Sequence, residues 1–239
     1  MPQAKEIEPR TVTADRLDPG TSGGERRSVT EWKNRYSGAD IWVIGAGASL
    51  NFVDPEFFDG RITLGVNDVY RRFHCTCLVR RSRVRIEEAY QSGIPLILSE
   101  HDGGNKDGFR NEVSGPAWYF EHVHRVPYGT MDMSVIGTDR IVMGASILVT
   151  AMHLAAYMGA RNILLCGHDC GSVDGQVTFE NYYDQPLTDP VAYWRTMGRF
   201  EEESVAVRER LKEVFGCRVY SLNPFLNFGL EGHCYRREP

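Results

Sequence analysis

No stretch of this 239-residue chain approaches the run of roughly 18 apolar residues that a helix needs to cross a bilayer. The opening residues Met1 to Glu6 are polar and charged with no apolar segment behind them, so no secretory leader is expected, and the expected compartment is the cytoplasm. Cysteine is sparse: there are six (75, 77, 166, 170, 217 and 234), too few for a disulfide framework in a chain of this length. Four of them (Cys75, Cys77, Cys166 and Cys217) lie in strand-like apolar runs, where reduced, structural thiols are expected. No Cys-x-x-Cys pair occurs, so His74-Cys75-Thr76-Cys77 and Cys166-Gly167-His168-Asp169-Cys170 lack the spacing of a structural zinc site. Neither sign of charge dominates. Lys+Arg is 27 against 32 for Asp+Glu, which argues against a general polyanion binder while leaving room for a local basic patch.

What is present is the composition of a folded domain, 42% hydrophobic and 25% charged. Residues 1–27 are polar, with Pro9, Pro19-Gly20 and Gly23-Gly24, and are expected to be a flexible tail ahead of a single domain at 28–239. Ser28 is placed to cap a short helix over 28–36 with Glu31 as its capping-box partner. Short apolar runs at 41–44, 62–66, 75–79, 95–98, 117–120, 163–166 and 218–221 suit strands, the first of them buried on both faces. Helices are expected at 146–158, apolar nearly all round, and at 190–215, opened by Asp189-Pro190 and bent or divided at Gly198. Strands separated by helical or loop crossovers argue for an open α/β sheet. Residues 171–188 are expected to form a long loop over the carboxyl end of a strand, where loops of that length act as lids.

Gly45-Ala46-Gly47-Ala48-Ser49-Leu50 follows the first strand directly. Glycines there permit a tight turn and close backbone approach. Freed N–H groups and the Ser49 hydroxyl can then hold phosphate or ribose oxygens, with a plain strand-to-helix turn as the alternative. Leu50 stands where the dinucleotide fingerprint needs its third glycine, and no Gly-Lys-Ser/Thr follows, so both standard phosphate motifs fail. Asn67 ends the next strand, where its amide can read a base or ribose or close an Asx turn.

The segment Trp32-Lys33-Asn34-Arg35-Tyr36-Ser37-Gly38-Ala39-Asp40-Ile41-Trp42-Val43-Ile44-Gly45-Ala46-Gly47-Ala48-Ser49-Leu50, with Gly65-Val66-Asn67 after it, resembles the opening of bacterial sialyltransferase-like proteins and of the 6-hydroxymethylpterin diphosphokinase-like family. Asp139-Arg140-Ile141-Val142-Met143-Gly144 ahead of the apolar helix, the strand ending Cys166-Gly167-His168-Asp169, and the closing Gly216-Cys217-Arg218-Val219-Tyr220-Ser221-Leu222-Asn223-Pro224 are similar to later sialyltransferase motifs, in order, over residues 32–229. The resemblance implies a Rossmann-like, mostly parallel sheet with helices on both faces. It also implies a glycosyltransferase that takes a nucleotide-activated sugar, CMP-sialic acid in the sialyltransferases, without a metal cofactor. Carried over by position, Gly45, Ala46, Gly47, Ser49 and Asn67 line the nucleotide, Gly144 sits at the helix entrance, and Gly167 and Asp169 lie near the ribose or donor. The chain departs from the pattern at Ala46, at Val142-Met143, at Gly171, and at Arg199, which counts to the position of the family's general base and cannot take a proton at neutral pH.

Glycosyl transfer needs the leaving phosphate steadied and an acceptor hydroxyl deprotonated. Arg140, Arg199, Tyr182 and Tyr183 are candidates for the first task, and His168, with Asp169 to orient it or to bind ribose, for the second. An ATP- and Mg²⁺-dependent diphosphokinase, with Asp169 and Asp174 or Asp184 on the metal, is the second reading, and a non-catalytic nucleotide-binding module the third. The basic run Arg80-Arg81-Ser82-Arg83-Val84-Arg85 reads as a solvated helix start or as an acceptor-side patch. The acceptor stays open among glycan, lipid, protein and modified nucleic acid, and self-association of the transferase relatives implies an oligomer.

Overall fold

A computed structural model describes residues 25–101, 110–121, 131–173, 175–182 and 190–222, the last of these with the backbone alone at 190–194. Among the described residues eight strands form one sheet: β1 (Arg26–Ser28), β2 (Asp40–Ile44), β3 (Ile62–Val66), β4 (Cys77–Arg80), β5 (Leu96–Ser99), β6 (Ala117–Phe120), β7 (Asn162–Cys166) and β8 (Arg218–Ser221). Their order is β1-β6-β5-β4-β3-β2-β7-β8, and every neighbouring pair is parallel. The α-helices of the described residues are α1 (Ile86–Gln91), α2 (Ile147–Tyr157) and α3 (Pro190–Phe215). The architecture is the expected open α/β sheet covered on both faces.

The continuous apolar strands follow from that double cover, because a strand buried above and below has no polar side to alternate with. In the centre, Val43 of β2 stands in register with Leu64 of β3 and Leu165 of β7. On one face α2, α3 and a 3-10 turn at Val29–Trp32 pack a core that includes Trp32, Val43, Met152, Leu154, Val207 and Leu211. On the other, α1 and short 3-10 turns at Ala48–Phe52, Pro55–Phe58 and Val69–Arg71 enclose Ile44, Leu50, Phe58, Phe73, Leu96 and Phe179.

Every residue of α2 is buried, which is why it lacks a polar stripe. The Ser146 hydroxyl caps it by accepting from the Leu148 N–H at 3.1 Å. Gly159 ends it at φ +91, in a position where a Cβ would press on Ser37.

Several boundaries differ from the sequence reading. The expected tail contributes Arg26 and Arg27 to the edge strand β1, where their guanidiniums lie over the Tyr119 and Trp118 rings of β6. Residues 1–24 lie outside the described residues. Ser28 does act as a cap, to Thr30 N–H, but over one 3-10 turn; Glu31 accepts from Trp118 Nε1 at 2.9 Å instead of closing a capping box. Gly198 does not divide α3, which runs unbroken for 26 residues. Asp189, the expected N-cap, is outside the described residues. Among the described residues five cysteines are free, four of them buried, and burial pushes the Cys75 and Cys166 thiols up to about 12.

Candidate functional site

The chain leaves β2 toward β3 on one side and leaves β7 toward β8 on the other, although β2 and β7 are neighbours. The first connection crosses one face of the sheet and α3 crosses the opposite face. The two turns therefore diverge from adjacent strands, the switch point at which open α/β sheets hold their ligands.

Here the turns are laced together. Gly45 N–H donates to the Cys166 carbonyl and Gly47 N–H to the Gly167 carbonyl, both at 2.7 Å. A Cβ on Gly45 would run into the Gly167 carbonyl, and one on Gly47 into the Asp169 carboxylate. Gly167 itself needs φ +66, with Leu50 against its Cα. The Asp169 carboxylate, only 4% exposed, accepts from the Ser49 N–H at 2.8 Å and from the Ser49 hydroxyl at 2.6 Å. The glycine loop was expected to offer such donors to the phosphate or ribose oxygens of a ligand. They are instead taken by an internal carboxylate, so this stretch of the glycine loop is closed onto the β7 turn.

Gly45, Gly47, Ser49, Gly167 and Asp169 are thus brought into one cluster by direct contact. The Ala46 carbonyl accepts from Phe179 N–H at 3.0 Å, which pins the following loop onto the turn. Asn67 stands at the end of β3, next to β2, half-exposed and in the left-handed region at φ +52. Its side-chain amide has no hydrogen-bond partner among the described residues.

Three expected catalytic side chains are elsewhere than expected. His168 faces inward: it is 6% exposed, its Nε2 lies 2.6 Å from the Ser204 hydroxyl of α3, and desolvation pushes its pKa down to about 3. Ser204 in turn donates to the Phe200 carbonyl, so the imidazole is a packed element of the β7–α3 seam. Tyr182 is buried in the second core with its ring against Phe179, where packing fixes it. Tyr183, Asp174 and Asp184 fall outside the described residues. Arg140 pairs with Glu121 at 3.1 Å just past β6, four strands from β2, and is not brought to the switch point.

Arg199 and Gly144 meet through a residue that sequence reasoning passed over. Glu203 of α3 bonds Arg199 Nε at 3.0 Å and takes the Ala145 N–H at 2.6 Å, and Gly144 leaves room for its carboxylate. From the other side Arg81 donates to the Gly144 and Ala145 carbonyls. Three arginines of the basic run are therefore engaged by the protein itself: besides Arg81, Arg80 is buried against Asp68 at 2.5 Å, and Arg85 reaches the same carboxylate at 3.3 Å. An i, i+4 Arg–Glu spacing on α3 was the one available signal for Glu203. Nothing local marked Arg80 or Arg81 as inward. Among the described residues no group of three His, Cys, Asp or Glu is arranged to hold a metal, and no helix is long and apolar enough to cross a membrane.

No protein-family model matches the chain, and no curated protein matches it by sequence. Among solved structures it is similar to the sialyltransferase CstII from Campylobacter jejuni in complex with the substrate analogue cytidine-5'-monophosphate, at 13% identity and a TM-score of 0.45, over 79% of this chain and 81% of that one. It is also similar to the monofunctional alpha-2,3-sialyltransferase Cst-I from Campylobacter jejuni, at 12% identity and a TM-score of 0.45, over 78% and 76% of the two chains.

Proposed function

We propose that this chain is a transferase acting on a nucleotide-activated sugar, with the nucleoside seated at the switch point between β2 and β7. The observation that carries the reading is the convergence there of Gly47, Ser49 and Asp169, with the unpartnered amide of Asn67 on the neighbouring strand. It is supported by the order and spacing of four sequence motifs over residues 32–229.

The polarity of the cluster divides the ligand. A buried carboxylate repels phosphate and accepts from hydroxyls, so the Asp169 side suits a ribose, and Asn67 suits a base edge or ribose. The phosphates then belong toward Gly144 and the guanidinium of Arg199, which is 41% exposed. Arg199 steadies negative charge in this scheme and takes no proton. His168 is too deeply packed against Ser204 to reach an acceptor hydroxyl.

The test is a thermal-shift panel of CMP-, UDP-, GDP- and ADP-linked sugars, each with and without Mg²⁺. A shift from one sugar nucleotide that is independent of Mg²⁺ is the expected result. A response to ATP with Mg²⁺ alone would favour diphosphate transfer, and binding without donor turnover would favour a non-catalytic module. Asn67→Ala is expected to weaken the bound nucleotide roughly tenfold, about 1.4 kcal/mol, while the chain stays folded. No response to any nucleotide overturns the reading.

A further inference from the structure

Two non-glycine residues in the turns that leave adjacent strands adopt left-handed backbone: Asn67 directly after β3 at φ +52, and Arg85, between β4 and α1, at φ +56. Both flank one buried ion cluster. Asp68, next to Asn67, bonds Arg80 at 2.5 Å, with both side chains 3% exposed, and Arg85 at 3.3 Å. The second terminal nitrogen of Arg80 donates to the carbonyl of Val84, next to Arg85, also at 2.5 Å. One guanidinium thus ties the turn leaving β3 to the turn leaving β4.

An ion pair this deep adds little net stability, because desolvation of the two charges offsets most of their attraction, and an apolar pair of like volume would hold the sheet end as well. What an apolar pair lacks is direction. The planar fork of Arg80 engages a carboxylate and a carbonyl at set angles, and so dictates where the backbone on either side must run. Asparagine enters left-handed backbone more easily than other residues with a Cβ, so at position 67 the surroundings decide which of its accessible conformations is held, whereas alanine there needs that conformation imposed.

We propose that Asp68 and Arg80 are positioning residues: their buried ion pair holds Asn67 in the left-handed conformation and thereby presents its amide at the switch-point crevice. This rests on the reading of Asn67 as a ligand-facing residue, and its test is built to fail separately from that reading. Four full-length proteins are compared: the parent, Asn67→Ala, the neutralised pair Asp68→Asn with Arg80→Gln, and the combination. With the pair intact, alanine at 67 is forced into backbone it tolerates poorly, and the melting temperature falls by about 2–4 °C. With the pair neutralised the same change costs under about 1 °C, because residue 67 keeps its N–H bond to the Val79 carbonyl at 3.2 Å but loses the anchor on its carboxyl side and relaxes. Equal losses in the two backgrounds overturn the proposal. Should the neutralised pair not fold, Arg80→Lys replaces it, since an ammonium keeps the charge and loses the fork.

The same four proteins are titrated with CMP as the probe. Neutralising the pair weakens CMP roughly tenfold when residue 67 is asparagine and leaves it unchanged when residue 67 is alanine. CMP binding that is blind to the pair overturns the positioning role and leaves the nucleotide reading intact. A parent that ignores CMP while the melting temperatures stay coupled removes the support for a CMP ligand and leaves the positioning of the backbone standing.

Discussion

Asp169 shows how much one side chain can decide at this site. Its carboxylate satisfies both the N–H and the hydroxyl of Ser49 and fills the space that Gly47 leaves. Asp169→Ala removes the acceptor from both donors at once and is expected to lower unfolding stability by about 1–3 kcal/mol. Ser49→Ala keeps the backbone bond and should cost clearly less. Urea midpoints compare them, and a larger loss at Ser49 would contradict the assignment. The buried histidines set the pH response. Desolvation holds His153 down to about 4 and His168 to about 3, against an ordinary 6.5. The unfolded chain then binds protons that the folded one refuses, so stability is complete above about 6.5 and is lost as pH falls toward 4 and then 3. Each unit of depression is worth about 1.4 kcal/mol, so melting temperature should drop steeply in that window. His168→Gln should flatten the drop; an unchanged slope would mean that the imidazole is not buried neutral.

At the scale of elements, α3 joins two turns at the carboxyl end of the sheet. Its middle turn sends Ser204 to His168 and Glu203 to the start of α2, so it braces both the β7 turn and the helix entrance. Glu203→Ala leaves the Ala145 N–H without its acceptor and removes the ion pair with Arg199. Faster amide exchange across the α2 entrance, with α2 itself still protected, is the expected result, and unaltered exchange there would argue against the brace. Gly198 offers the opposite kind of test. It is exposed, a Cβ there meets nothing within 4 Å, and the helix passes through it unbroken. Gly198→Ala should therefore raise stability by about 0.5–1 kcal/mol, read as a shift in the urea midpoint. A loss would show that the helix uses glycine there.

For the whole molecule, the elements were largely legible and their arrangement was not. Strand runs such as Ile62–Val66 and Ala117–Phe120, and the helix Pro190–Phe215, coincide with their sequence patterns. A parallel sheet buried on both faces writes its strands as short apolar runs bounded by Gly, Asp and Asn, and those are visible residue by residue. The edge strand β1 was missed because Arg26 and Arg27 carry no apolar signal; they are held by a ladder with β6 and by two aromatic rings distant in sequence. The six-residue α1 was signalled only as a helix start at the basic run ahead of it, because it is too short to show a period of its own.

The candidate site divides along the same line. The chain's own pattern determined that glycine-rich turns would follow apolar strands, since backbone freedom and hydrophobic periodicity are properties of neighbours in sequence. Which turns meet was decided only in three dimensions, where β7 comes to lie beside β2 some 120 residues away and sets Asp169 on Ser49. The inward turn of Arg80, Arg81 and His168 was decided there too, because burial of a charged or titratable group depends on a partner that local sequence does not contain.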